Sequence, residues 1–183
     1  MSIRLLARFG AAFASLSVLL ACGKTENVSP SDVVVQFYVT VEVSGVRDLP
    51  EPRALLALEP YLTDSLATAL RQARAVRDTA SARSSGQAPP FSEGNPFSGF
   101  FEGHDTFVVR GAVQRGDSAF VTVAFTNTEQ KPPVSWADTV VLVKVMPPAE
   151  KEPTTPVWRV ADLRYGTDWE FGYRGTLGSV LRR

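Results

Sequence analysis

Two stretches rich in valine and phenylalanine, Thr106 to Val113 and Ala119 to Thr126, alternate at the period of a β-strand. Between them lies Gln114-Arg115-Gly116-Asp117-Ser118, with glycine where a tight turn needs a positive φ. No other feature constrains the fold as strongly, because such a hairpin commits the second half of the chain to an antiparallel sheet. Trp136 to Val145 reads as a third strand and Val157 to Tyr165 as a fourth, linked by the Pro/Glu/Lys segment 147–156. Residues 175–183 read as a closing helical turn. Arg115-Gly116-Asp117 is also an integrin-adhesion tripeptide, but in this position the residues suit a hairpin turn.

The first half has helical character. Ser29-Pro30-Ser31-Asp32 carries a hydroxyl N-cap, a proline at the first helical position and an acid in the first turn. The segment that follows fits two periods. Val34, Phe37, Tyr38 and Val41 share a helical face, while Val33, Val35, Phe37, Val39, Val41 and Val43 alternate as in a strand. β-branching favours the strand, the cap favours the helix, and a helix is the expectation for 33–43. Pro52 opens a short helix containing Leu55, Leu56 and Leu58, which Pro60 ends. Thr63 or Asp64 caps a longer one to about Ser81, with Leu66, Ala69, Leu70, Ala73 and Val76 along one face and Arg71, Arg74 and Arg77 mostly on others. The Ser/Gly/Pro-rich stretch 83–105 is long for a loop in a compact domain. Its Phe91, Phe97, Phe100 and Phe101 suggest that it packs. Helices followed by an antiparallel meander give an α+β class: N-terminal helices on one face of a curved, mostly antiparallel four-stranded sheet.

The amino terminus states an address. Arg4 and Arg8 precede an apolar run, Phe9 to Leu20, too short for the ~20 residues that span a bilayer. It ends in Leu19-Leu20-Ala21-Cys22, which looks like a lipobox: residues 1–21 are a lipoprotein signal peptide and Cys22 carries the lipid. A plain secretory signal, leaving Cys22 as a thiol, and an uncleaved anchor are the alternatives. Lipidation accounts for the single cysteine, so neither a disulfide nor a thiol nucleophile is expected. Residues 22–30 form the lipidated end and a polar tether, and 31–183 a single domain. Gly23, rather than aspartate, after the cysteine points by resemblance to enteric sorting rules towards the outer membrane, facing the periplasm. Removing 1–21 from the 183 residues leaves 162, with 17 Lys+Arg against 19 Asp+Glu, because two of the 19 basic residues are in the leader. A net charge of −2 argues against nucleic-acid binding and against electrostatic capture of anionic headgroups.

Several short motifs occur in order. They are Phe37-Tyr38, Leu58-Glu59-Pro60-Tyr61-Leu62-Thr63, Asn95-Pro96-Phe97 and Trp158-Arg159-Val160-Ala161-Asp162-Leu163. Together the set resembles the bacterial lipoproteins of the domain-of-unknown-function 3828 family, over roughly residues 31–182. That family is similar to the cone-shaped nuclear-transport-factor-2-like, or cystatin-like, α+β fold, so the resemblance implies that fold and no assigned reaction. The chain differs in alanine at 161, where a second acid is often found, and in a longer phenylalanine-rich loop.

Candidates for chemistry are few. His104-Asp105 is the one histidine–carboxylate neighbour pair, but adjacent residues in a strand point to opposite faces, and one histidine makes no His-rich metal site. Asp162 shares parity with Trp158 and Val160 on the fourth strand, and an inward carboxylate there is a general-base candidate, with Tyr38 or Tyr165 as hydrogen-bond donor. The competing reading pairs Asp162 with Arg110 or Arg164. Phe97 and Phe100, with Trp169 and Tyr173 of the 167–173 cluster, are candidate contact residues. Two functions follow. One is a non-catalytic, lipid-anchored binding or interaction module of the cell envelope, with an envelope protein or a small ligand as partner. The other is a small-molecule enzyme of isomerase or dehydratase type built on Asp162. The sequence calls for no cofactor and no metal, and the sparse acid–base groups favour the binding module.

Overall fold

Ser29 starts the first helix by a reciprocal cap. Its hydroxyl accepts the Asp32 amide (3.2 Å), and the Asp32 carboxylate accepts the Ser29 amide (3.2 Å), with Pro30 in the first turn. The computed structural model describes residues 28–83, 91, 94–147 and 155–182. The leader, Cys22 and most of the tether lie outside the described residues, as do 84–90, 92–93 and 148–154. Helix α1 (Pro30–Val43) buries Val33, Val34, Phe37, Tyr38 and Val41, whereas Val39 and Val43 are 40% and 83% exposed. The helical period therefore prevails over the alternation of valines.

Helix α2 (Pro52–Leu58) and a 3-10 turn (Glu59–Tyr61) lead into α3 (Asp64–Arg83). On α3 the buried face runs through Leu66, Ala67, Leu70, Ala73 and Arg77, while Val76 is 54% exposed. The stripe is turned from the one expected because Arg77 lies inward. Its guanidinium reaches Asp48 (3.0 Å) and Glu51 (3.8 Å) of the α1–α2 connection, so its aliphatic stem covers apolar surface.

Four strands follow in sequence order, all antiparallel: β1 (Thr106–Arg115), β2 (Ser118–Asn127), β3 (Val134–Val145) and β4 (Val157–Arg164). Gly116, at φ +59°, and Asp117 make the β1–β2 turn, so Arg115-Gly116-Asp117 serves as a hairpin. One sheet face is buried through Ala119, Val121, Val123 and Phe125 of β2, Trp136, Val140 and Leu142 of β3, and Trp158, Val160 and Leu163 of β4. Helix α1 packs against β1, β2 and β4, and α3 against β4. At the β4 edge, Thr63 donates its amide to the Val160 carbonyl (2.9 Å), and the short α4 (Leu177–Val180) docks beside it. This is the α+β class the sequence implied.

Candidate functional site

Parity along β4 decides where Asp162 points. A bulge against β3 pairs Val141 with Asp162 but Leu142 with Val160, so one extra residue sits between them. Trp158 and Val160 face inward before it, Leu163 and Tyr165 after it. Asp162 is thereby turned out of phase, and its Oδ1 accepts the amides of Leu163 (2.9 Å) and Gly178 (2.9 Å) at the start of α4. The expected inward placement fails for this reason. Its suggested surface partner, Arg164, instead lies over the Phe120 ring, 5.2 Å from the centroid.

Tyr38 and Tyr165 do come together, at the 94–105 loop. The Tyr38 hydroxyl donates to the Phe97 carbonyl (3.0 Å) and that of Tyr165 to the neighbouring Pro96 carbonyl (2.8 Å). The acid on this side is Asp138, which is 1% exposed. Its Oδ2 accepts the Gly99 amide (2.7 Å) and the Trp136 indole N–H (3.3 Å), and its Oδ1 accepts the Gly166 amide (2.9 Å). Burial pushes the Asp138 carboxyl above its ordinary range, although all three donors pull it down. Burial first, then the Asp138 and Tyr165 charges, raise the Tyr38 phenol well above its usual value. Tyr38 is thus held as a hydrogen-bond donor.

Asp138 acts as a staple. It binds the 94–105 loop through Gly99 and the segment after β4 through Gly166, and the two segments also bond directly, Tyr173 N–H to the Gly99 carbonyl at 2.9 Å. Sequence reading missed Asp138, yet the signal was present: it shares strand parity with Trp136, Val140 and Leu142.

This lacing removes two candidate contact residues from the surface. Phe97 is fully buried against Phe37 (centroids 5.2 Å apart), and Phe100, 8% exposed, packs on Trp136 (5.4 Å) and Trp169 (5.6 Å). Their place is the core, as the phenylalanine content of the loop implied. Trp169 and Tyr173 are half-buried, Tyr173 meeting Phe101 (4.8 Å) and Tyr165 (5.3 Å), and of the aromatic side chains in that cluster Phe171 stands well out, at 69% exposed.

The open feature lies at the other end of the same loop. A cleft of about 280 Å³ is bounded by the end of α1 (Val41, Glu42), the turn at 45–47, and Asn95, Glu102, His104, Asn127 and Glu129. Asparagine amides build its frame. Asn95 donates to the Val46 carbonyl (3.2 Å) and accepts from the Phe97 amide (2.9 Å), and Asn127 donates to the Gly103 carbonyl (3.0 Å) and accepts from the Glu129 amide (3.0 Å). His104 forms part of the lining, its side chain 2% exposed and its ring against Phe125 (4.5 Å) and Tyr38 (5.8 Å). Neither Nδ1 nor Nε2 has a hydrogen-bond partner among the described residues. Glu42 Oε1 lies 3.7 Å from Nε2, beyond hydrogen-bond range. Asp105 turns away and accepts both the amide (2.7 Å) and the hydroxyl of Thr128, so the sequence-adjacent pair forms no dyad.

Burial, then the Arg47 charge, lowers the His104 imidazole to about 4, against a smaller upward pull from Asp105. Burial raises the Glu42 carboxyl and Arg47 lowers it. At neutral pH the lining therefore presents a neutral imidazole, with one donor and one acceptor, beside the 43%-exposed Glu42 carboxyl. Among the described residues no group of three or more His, Cys, Asp or Glu side chains could hold a metal ion, and no helix is long and apolar enough to cross a membrane.

Comparison with protein-family models, curated proteins and solved structures finds no match to this chain. The functional reading rests on the site itself. The lining of the cleft holds no cysteine and no hydroxyl residue, and its polar side chains are carboxylates, asparagine amides, one guanidinium and the His104 imidazole.

Proposed function

We propose that the protein is a lipid-anchored lipoprotein of the cell envelope, facing the periplasm, that acts as a non-catalytic binding module with the His104 cleft as its binding site. One observation carries the reading: a buried histidine lines a cleft and has neither ring nitrogen hydrogen-bonded among the described residues. An unpaired buried polar group costs on the order of 1–3 kcal/mol, which a ligand supplying the missing hydrogen bonds offsets. The basic residues, short apolar run and Leu19-Leu20-Ala21-Cys22 of the leader support the envelope address, as does the resemblance to the domain-of-unknown-function 3828 lipoproteins. The Asp138 staple supports a rigid scaffold, since it fixes the loop from which His104 extends.

Native mass spectrometry of the full chain, gently extracted from its own host's membranes, tests the site. The expected spectrum shows a bound mass on the order of 100–200 daltons, the capacity of a cavity this size, that is absent from His104→Phe. Phenylalanine suits the aromatic surroundings and fills the site. A wild-type spectrum without added mass, or a mass retained by the variant, overturns the reading.

A further inference from the structure

The cleft's chemistry is asymmetric. Four carboxylates, Glu42, Glu102, Asp105 and Glu129, face one guanidinium, Arg47. Asp105 is engaged by Thr128 and Glu102 by the Gln130 side chain. The carboxylates of Glu42 and Glu129 have no hydrogen-bond partner among the described residues, and the only ion-pair neighbour of either there is His104, at 3.7 Å from Glu42. Arg47 is exposed but its charge reaches both His104 and Glu42, so the attraction for a cation beside His104 has to come from the carboxylates that outnumber it. An acidic lining alone would mean only a solvated rim. The second observation is His104 itself, a polar side chain 2% exposed, with both nitrogens unpartnered and lining the same cleft.

The spacing between the two inner acceptors is informative. His104 Nε2 and Glu42 Oε1 stand 3.7 Å apart, too far to bond each other. Nε2 is closed to solvent, so a ligand reaches it only as the 43%-exposed Glu42 side chain swings aside; in the tautomer protonated at Nδ1, one ligand nitrogen can then bond both Nε2 and Oε1. A primary ammonium has three N–H donors and no acceptor, and so can serve both atoms while its charge opposes that of Glu42. An anion would meet the Glu42 carboxylate at the same point, and a neutral hydroxyl would bring no charge to match it. The cleft volume of about 280 Å³ restricts the whole ligand to roughly ten heavy atoms.

Building on the binding-site reading above, we propose that the ligand is a small molecule carrying a primary ammonium group, seated between His104 Nε2 and Glu42 Oε1. Glu42 supplies the counter-charge and the imidazole supplies a neutral acceptor that orients the ammonium. Asn95 and Asn127 hold the surrounding backbone and are already hydrogen-bonded, so they shape the cleft.

The chain's one histidine makes the test direct, because its ring resonance needs no assignment. The full chain, purified in mild detergent and labelled at histidine, is titrated at pH 7.5 and constant ionic strength with ethylammonium, acetate or ethylene glycol. The proposal expects a saturable shift of the His104 ring signal with ethylammonium alone, with Glu42→Gln weakening that binding at least tenfold. Glu42 is 43% exposed, so the substitution leaves the core intact. A saturable shift with acetate or ethylene glycol and none with ethylammonium retains the binding site and overturns the ammonium assignment. Equal ethylammonium binding by Glu42→Gln overturns it too. No saturable shift with any probe overturns both the assignment and the binding-site reading.

Discussion

Lowering the pH from 7.5 to 4 perturbs one buried group in an unusually readable way. The His104 side chain is 2% exposed, packed against Phe125 and Tyr38, and lacks a hydrogen bond at either nitrogen among the described residues. Burial, reinforced by Arg47, holds it at about 4, whereas an imidazole in the unfolded chain titrates near 6.5. The folded-state value is the lower one, so between these limits the unfolded chain binds more protons. The neutral imidazole's contribution is therefore fully present above about pH 6.5 and is lost as the pH falls towards 4. The gap amounts to about 3 kcal/mol, a large share of the 5–15 kcal/mol typical of a domain. Glu42 and Asp138 are raised by burial and act in the opposite sense, favouring the folded state on protonation, so wild-type stability alone is ambiguous. Urea unfolding followed by tryptophan fluorescence should therefore be run in parallel on wild type and His104→Gln. The difference between them isolates the imidazole and is expected to change by about 3 kcal/mol across the window. A difference independent of pH, or an NMR midpoint for His104 near 6.5, refutes the argument that burial governs this residue.

Three further outcomes test other parts of the structure. Cys22→Ala is expected to abolish palmitate incorporation and release the protein from membranes; labelled protein persisting in the membrane fraction contradicts the lipobox. Asp138→Asn leaves one side-chain oxygen for amides that now bond to two, so urea unfolding is expected to show a loss of about 2 kcal/mol; unchanged stability would deny Asp138 its stapling role. Phe97→Ala is expected to cost about 3–5 kcal/mol, because the ring is fully buried in the core; a loss below 1 kcal/mol in calorimetry would return that loop to the surface.

What was legible in the sequence was mostly local. Strand period alone separates the buried Val121, Val123 and Phe125 from their neighbours, and Gly116 marks the turn. The cap at Ser29 outweighed the alternating valines of α1 because it satisfies backbone donors that a strand start would leave to other partners. Long-range geometry was hidden. A single bulge rotated Asp162 out of the core, and nothing in Val160-Ala161-Asp162-Leu163 announces it. The inward turn of Arg77 depends on Asp48 and Glu51, which the helical periodicity of α3 does not contain. The cleft assembles Glu42, Asn95, His104 and Asn127 from three separate segments, so no motif could display it.

Two buried polar side chains of one domain meet opposite fates, and the contrast locates the site. Asp138 receives three N–H donors and ties two loops to the sheet, which offsets much of the cost of burying its charge. His104 receives none, although Phe125, Tyr38 and Phe107 around it would accommodate an aromatic hydrocarbon without that cost. Packing alone therefore gives no reason for an imidazole at this position. The two residues are joined through the 94–105 loop, anchored by Asp138 at Gly99 and extending to His104. A polar group left unsatisfied on a fixed support is a preorganised recognition element, because little further ordering is required when its partner arrives. Under the proposed binding reading, the stability given up at His104 is recovered when a ligand supplies the missing hydrogen bonds, and the aromatic loop serves as the scaffold that holds the imidazole in place.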